Sequence, residues 1–300
     1  MPSWVVALII LALSAGCSNK REPAPEPTAE RLPTEDAGRG PRLEYFATSR
    51  DAFARVLTAK PRVLGVGEFH TKKGGAKLTS ALARFTRELL PDIHSYAGEH
   101  KVELVLETWA PRGSDTPCGE ASRQVSASVD KGIERPEAVK SELVELVEAA
   151  KKLGIRPHAM QLSCDDYRII QPAADVAVDY AALLSLITRK LGEQARALRS
   201  SDHIVVLYGG SLHNDRYPRA GTEGWSYART LENDAGYVEL DLYLPELIRA
   251  DKLESQEPWF EAAQRPGRTK FLLVERAPDS FILVFPKARP AAVSDPAATR

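Results

Sequence analysis

The sequence lacks an excess of either charge, because 40 basic residues are balanced by 41 acidic ones in a chain of 300. A chain without net charge has no global electric field that would attract a polyanion. We therefore expect no nucleic-acid partner. The hydrophobic residues make up 43% of the chain, which is enough for a soluble globular domain with a sizeable core.

The apolar run at residues 4–15 is too short to cross a bilayer, since a membrane-spanning helix takes about 20 residues. It ends in Leu13-Ser14-Ala15-Gly16-Cys17. These small residues before a cysteine resemble the lipobox of bacterial lipoproteins, although no basic residue precedes the apolar run. The resemblance implies that residues 1–16 are a signal peptide. The alternative is an ordinary apolar N-terminus with a coincidental cysteine.

By the same resemblance, Cys17 becomes the acylated first residue and anchors the protein to a membrane of the cell envelope. Because Ser18 follows the cysteine, we expect the outer membrane. Residues 18–41 and 288–300 are rich in polar residues and proline and have few apolar ones, so we predict that they are disordered. The folded domain is therefore predicted to span residues 42–287.

Cysteine is scarce, and only Cys118 and Cys164 remain once Cys17 is acylated. In an oxidising envelope two such residues are a candidate disulfide. Both follow predicted strands, which makes their meeting plausible. Two free thiols and metal ligation are the alternatives.

Short apolar runs alternate with amphipathic stretches, a pattern that predicts an α/β fold with a mostly parallel central sheet flanked by helices. Two adjacent apolar runs near the end, 270–274 and 280–285, predict a C-terminal β-hairpin. The other predicted strands are residues 62–67, 102–106, 155–162, 203–208 and 237–242. The predicted helices are 76–90, 136–153 and 172–199.

In an open parallel sheet, ligands bind beyond the carboxyl ends of the strands. Acidic residues, histidines and glycines recur at these positions, and the candidates are Glu68, His70, Glu107, Asp165, Gly209, Gly210 and His213. Glycines there permit the close approach of a ligand or another backbone. We predict one binding site at this edge of the sheet.

Glu68 and His70 are the predicted catalytic pair. A carboxylate and an imidazole two residues apart suit metal ligation or the activation of water as a general base. The alternative is a strand-end pair that bonds only to backbone groups. We predict Glu68, His70 and His213 as metal ligands. The predicted cofactor-binding residues are Glu107, Gly209, Gly210, His213 and Asp165.

Three segments occur in a characteristic order: Gly67-Glu68-Phe69-His70, Leu106-Glu107 and Gly209-Gly210-Ser211-Leu212-His213. Together they resemble the ChaN-like haem-uptake family of the Tiki, TraB and erythromycin-esterase superfamily. The resemblance implies that Glu68, His70, Glu107 and His213 line the functional cleft. Related branches include lipoproteins of iron or haem acquisition, metal-dependent proteases and esterases.

Three functions follow as hypotheses. The first is an envelope lipoprotein that binds a divalent metal, or haem, or another small-molecule or cofactor ligand at this edge. The second is a metal-dependent hydrolase in which Glu68 and His70 activate water. The third is a scaffold that has lost its chemistry. Association into oligomers is left open.

Overall fold

The structure is a computed structural model that describes residues 40–69, 79–109, 117–133, 137–173, 176–231, 236–248 and 253–287. The predicted signal peptide, the acylation site Cys17, most of the tether, the C-terminal tail and His70 lie outside these residues. In the part described, eight strands form one mixed sheet with helices packed on both faces. This confirms the predicted α/β class.

The strands follow the apolar runs of the sequence closely. They are β1 Arg42–Phe46, β2 Val63–Glu68, β3 Lys101–Leu106, β4 Arg156–Ala159, β5 His203–Gly210, β6 Tyr237–Tyr243, β7 Phe271–Ala277 and β8 Ser280–Val284. Their spatial order is β1-β7-β8-β6-β2-β5-β3-β4. The pairs from β8 through β6, β2, β5 and β3 to β4 are parallel, whereas β7 is antiparallel to both β8 and β1. The β7–β8 pair is the predicted C-terminal hairpin.

Ten α-helical segments connect or flank these strands in the described part of the chain. They are α1 Ser49–Leu57, α2 Ala81–Arg84, α3 Leu90–Ala97, α4 Gly119–Ile133, α5 Glu137–Lys152, α6 Cys164–Ile170, α7 Tyr180–Leu198, α8 Ser211–Asn214, α9 Ala228–Leu231 and α10 Phe260–Gln264. A π-helical turn, Phe85–Leu89, joins α2 to α3. Two 3₁₀ turns, Glu223–Trp225 and Leu253–Gln256, complete the helical structure of this part.

Two helix boundaries differ from the sequence prediction, one at a proline and one at a helix cap. The helix predicted to stop before Pro91 continues through α3, because Pro91 occupies its first turn, where a backbone N–H is not needed. The helix predicted to begin at residue 172 begins at Tyr180 instead. The Asp179 carboxylate caps it by accepting from two backbone N–H groups of the first turn.

The third predicted strand, residues 155–162, is shorter than expected and forms the edge strand β4. Pro157 lies within it and has no N–H to donate, which suits an edge position. No apolar run predicts β1, at the opposite edge, because its side chains are partly exposed.

Alternate residues of the central strands face two different cores. Leu64, Val66 and Tyr208 belong to the core covered by α1, α3 and α5. Val63, Val205 and Leu207 belong to the core covered by α7 and α9. This alternation fixes the face on which each residue at the carboxyl ends of the strands lies.

A disulfide joins Cys118, just before α4, to Cys164, the first residue of α6, across 46 residues of sequence. Because a cross-link of this span restricts the unfolded chain, we expect its removal to lower the free energy of unfolding by roughly 3–4 kcal/mol. Urea unfolding of the wild type with and without reductant, beside a Cys118→Ser/Cys164→Ser variant, measures this. Equal unfolding midpoints in all three samples would contradict the expectation.

Candidate functional site

Glu107 lies directly after β3 and reaches over the end of β5. Its Oε2 accepts a hydrogen bond of 2.5 Å from the backbone N–H of Gly210. A β-carbon at Gly209 would collide with the same carboxylate, so only glycine permits this approach. Glu107, Gly209 and Gly210, three of the predicted site residues, are therefore in direct contact.

His213 lies in α8, directly after β5, and is only 3% exposed. Its Nδ1 is 2.9 Å from the carbonyl oxygen of Trp225 and 2.9 Å from the hydroxyl of Thr188. Because a carbonyl oxygen can only accept, a hydrogen bond to Trp225 requires a proton on Nδ1, and we assign this tautomer. In the neutral ring, Nε2 is then left with its lone pair.

The Nε2 of His213 faces Glu107, at 3.8 Å from Oε1. This distance is longer than a hydrogen bond. A lone pair and a carboxylate that face each other at this distance repel unless a proton or a cation lies between them. The pair can therefore hold a proton or a cation between these two atoms.

Glu68 ends β2 and lies on the opposite face of the sheet from the Glu107 carboxylate. Its Oε2 accepts a hydrogen bond of 2.7 Å from the hydroxyl of Tyr208. Glu68 also pairs in register with Gly210, whose N–H binds Glu107. The two glutamates thus flank the end of β5 from opposite faces. His70, the other half of the predicted catalytic pair, lies outside the described residues.

Asp165, the remaining predicted site residue, follows the edge strand β4. Asp165 lies in the first turn of α6, where its side chain is 80% exposed and forms an ion pair with Arg168. The neighbouring Asp166 is buried instead. Burial opposes its ionisation, but hydrogen bonds from Lys190 and Ser163 outweigh burial and lower the pKa of Asp166 to about 2.

Among the described residues, no group of three or more histidine, cysteine, aspartate or glutamate side chains is arranged to hold a metal ion. Glu107 and His213 offer one oxygen and one nitrogen ligand. The predicted metal ligand His70 lies outside the described residues.

The site predicted from the sequence did not include a buried group of charged residues that lies next to Glu107 and His213. Glu239 and Asp241, two apart on β6, are almost completely buried. Arg276 of β7 forms an ion pair with Glu239 and lies 3.7 Å from Asp241 and 3.6 Å from Asp215. The signal in the sequence was an apolar run interrupted by two acids, Tyr-Val-Glu-Leu-Asp-Leu-Tyr.

Burial is the main cause of the altered ionisation of these acids. It raises the pKa of Glu239 to about 7, against the opposing effect of Arg276. Burial and the neighbouring Glu239 raise the pKa of Asp241 well above its ordinary value. Burial lowers the pKa of Arg276, but Glu239, Asp241 and Asp215 outweigh it, so this pKa is raised.

Tyr227 connects Glu107 electrostatically to the β6 acids. Burial raises the pKa of Tyr227 well above its usual value, and the nearby carboxyl groups of Glu107, Asp241 and Glu239 raise it further. Glu107, which follows β3, and the two acids of β6 therefore all raise the pKa of one buried hydroxyl. The two groups of acids form a single electrostatic environment.

Comparisons with known proteins add little about this site. No protein-family model and no curated protein matches the chain. The solved structure of the type III effector HopBA1 is similar with a TM-score of 0.39 and 10% identity, over 82% of this chain and 98% of that one. A likeness at this level supports no inference about function. Within the described residues, no helix has both the length and the apolar character to cross a membrane.

The raised pKa of Glu239 predicts how stability changes with pH. Between pH 4.5 and about 7 the folded protein keeps the proton on Glu239, whereas the unfolded chain has lost it. The free energy of unfolding therefore falls as pH rises through that range. Asp241, whose pKa is also raised, adds to the same loss of stability as the pH rises. Glu239→Gln should reduce the pH dependence of the free energy of unfolding.

Urea unfolding of both proteins at pH 5, 6, 7 and 8 measures the difference. Asp166, whose pKa is lowered to about 2, titrates below this range and does not confound it. Parallel pH profiles for the wild type and Glu239→Gln would show that Glu239 does not hold its proton in the folded protein.

Proposed function

We propose that the protein binds a divalent metal ion between Glu107 and His213, at the carboxyl ends of the central strands. The supporting observation is the orientation of His213, whose Nδ1–H donates to the Trp225 carbonyl while Nε2 faces Glu107 at 3.8 Å. Histidines that bind metals usually donate their other ring N–H to a carbonyl or carboxylate, which fixes the tautomer. Imidazole nitrogen and carboxylate oxygen are common ligands of zinc.

Of the other two predicted ligands, His70 is proposed as a further ligand of the same ion. Glu68 is not, because it lies on the opposite face of the sheet from Glu107 and bonds to Tyr208 there. The resemblance to the ChaN-like family also implies haem as a ligand. A metal ion suits the described residues better, because His213 is buried beneath α7 and the Trp225 segment and a haem would need a broad opening.

Hydrolysis is the second candidate function. The Nε2 lone pair could accept a proton from water, and Glu107 at 3.8 Å would stabilise the imidazolium that forms. In that arrangement Glu68 and His70 would hold a metal ion that makes a bound water more acidic. Binding and hydrolysis would use the same residues in different roles, since the Nε2 of His213 binds the metal in the first and accepts a proton in the second.

The metal site predicts which substitutions weaken binding. We expect His213→Ala and Glu107→Gln each to lower the affinity for Zn²⁺ or Mn²⁺ by about 100-fold or more, since each removes a ligand. Isothermal titration calorimetry on protein purified without chelator measures the affinity. His203→Gln is the matched control, because His203 is a partly buried histidine at the other end of β5.

Equal affinities in the wild type and both site variants would remove the proposal. Turnover of ester or peptide substrates by the metal-loaded wild type, lost in both variants, would establish the hydrolase function.

We also propose that an acyl chain on Cys17 holds the domain at the envelope membrane. The support is the Leu13-Ser14-Ala15-Gly16-Cys17 sequence. The disulfide between Cys118 and Cys164 agrees with an oxidising compartment. Cytosolic proteins rarely keep such a bond.

Cys17→Ser should release the protein from the membrane fraction of bacterial cells into the soluble fraction or leave it unprocessed, because no acyl chain can attach. Fractionation and the intact mass of the purified protein measure this. A wild-type protein with no added acyl mass would contradict the anchor.

A further inference from the structure

The helix that carries His213, α8, is only four residues long, Ser211–Asn214. A single helical turn is not stable on its own, because nucleation fixes several residues for one hydrogen bond. The position of the His213 ring therefore depends on what holds α8 against the sheet. Asn214, the last residue of this turn, makes the contacts that hold α8 against the sheet.

Asn214 is completely buried and is bound to β6 at two points. The hydroxyl of Tyr237 donates to the backbone carbonyl of Asn214 at 2.7 Å. The side-chain Nδ2 of Asn214 donates to Asp241 Oδ1 at 3.1 Å and to the carbonyl of Gly65 at 3.3 Å. Tyr237 and Asp241 are four residues apart on one strand, so they share a face.

Gly67 makes this contact possible. A β-carbon on Gly67 would lie 2.6 Å from the Cα of Ser211 and 2.5 Å from oxygen atoms of Asn214 and Asp241. Only glycine lets α8 lie directly on β2 between the two neighbouring strands. The turn therefore packs directly against the backbone of β2.

Two further bonds extend this attachment to the residues around α8. The backbone N–H of Arg216 donates to Glu239 at 3.3 Å, and that of Tyr227 donates to the carbonyl of His213 at 2.8 Å. Arg276 of the C-terminal hairpin neutralises part of the charge of the two β6 acids. Three side chains of β6 therefore bind the segment from Asn214 to Arg216.

We infer that Asn214 is a positioning residue for His213, acting through its hydrogen bond to Asp241. The bond holds α8 where the His213 Nδ1–H meets the Trp225 carbonyl and Nε2 faces Glu107. The significance of that orientation for ligand binding rests on the proposed metal site. The orientation itself does not, and it can be measured in the protein without metal.

The test follows the His213 Nδ1 proton in the ¹⁵N-labelled, metal-free protein by nuclear magnetic resonance. In Asn214→Ala and in Asp241→Ala we expect this proton to exchange with solvent about tenfold faster or more, as loss of one buried hydrogen bond predicts. Asp241→Asn keeps an oxygen that can accept from Asn214, so it should exchange at close to the wild-type rate.

Thr86→Val is the matched control for a general loss of stability. Thr86 is a buried residue in the π-helical turn on the other face of the sheet, where its hydroxyl donates to the Leu82 carbonyl. We expect no change in the His213 proton in this variant. If Asn214→Ala does not fold, Asp241→Ala and Asp241→Asn examine the same bond from its other partner.

Zinc titration of the same proteins separates this inference from the proposed function. Faster exchange together with about tenfold weaker zinc binding in Asn214→Ala and Asp241→Ala supports both. Faster exchange with no zinc binding even in the wild type supports the positioning role and removes the metal site. Wild-type exchange rates in both alanine variants overturn the positioning role.

Discussion

Glycines at the ends of β2 and β5 allow polar groups to lie directly on the backbone of a buried sheet. At Gly209 the carboxylate of Glu107 occupies the space that a side chain would need, and at Gly67 the short helix α8 does so. Larger residues at these two positions would push Glu107 and His213 away from each other. The close approach of backbone and side chain is therefore the constraint from which the geometry of the candidate site follows.

Burying several acids at one end of a sheet is costly, and the protein offsets this cost in different ways at different positions. Arg276 forms an ion pair with Glu239 when that acid is ionised, and burial beside Glu239 raises the pKa of Asp241, which favours its neutral form. Glu107 instead accepts from a backbone N–H and faces an imidazole. Of these acids, Glu107 is the one that we propose acts on a ligand, whereas the β6 pair supports the structure around it.

The sequence predicts most of the sheet because strands that are buried on both faces are continuous apolar runs. It does not predict β1, which is half exposed. It also does not predict that the helical segment continues past Pro91 as α3. The residues predicted to meet beyond the ends of the parallel strands include Glu107, Gly209, Gly210 and His213, and these four are neighbours in the structure. The sequence did not indicate a structural role for Asn214, since an asparagine after a glycine-rich turn is typical of a loop. Its partner Asp241 is 27 residues away and meets it only through the sheet topology.

Glu107 and His213 are proposed to form one cation site. Crystals grown with zinc and measured at its absorption edge test this claim most directly. We predict an anomalous peak about 2.0–2.2 Å from His213 Nε2 and from a carboxylate oxygen of Glu107. A peak elsewhere, or an unoccupied pair in which a protonated His213 donates directly to Glu107, would contradict it.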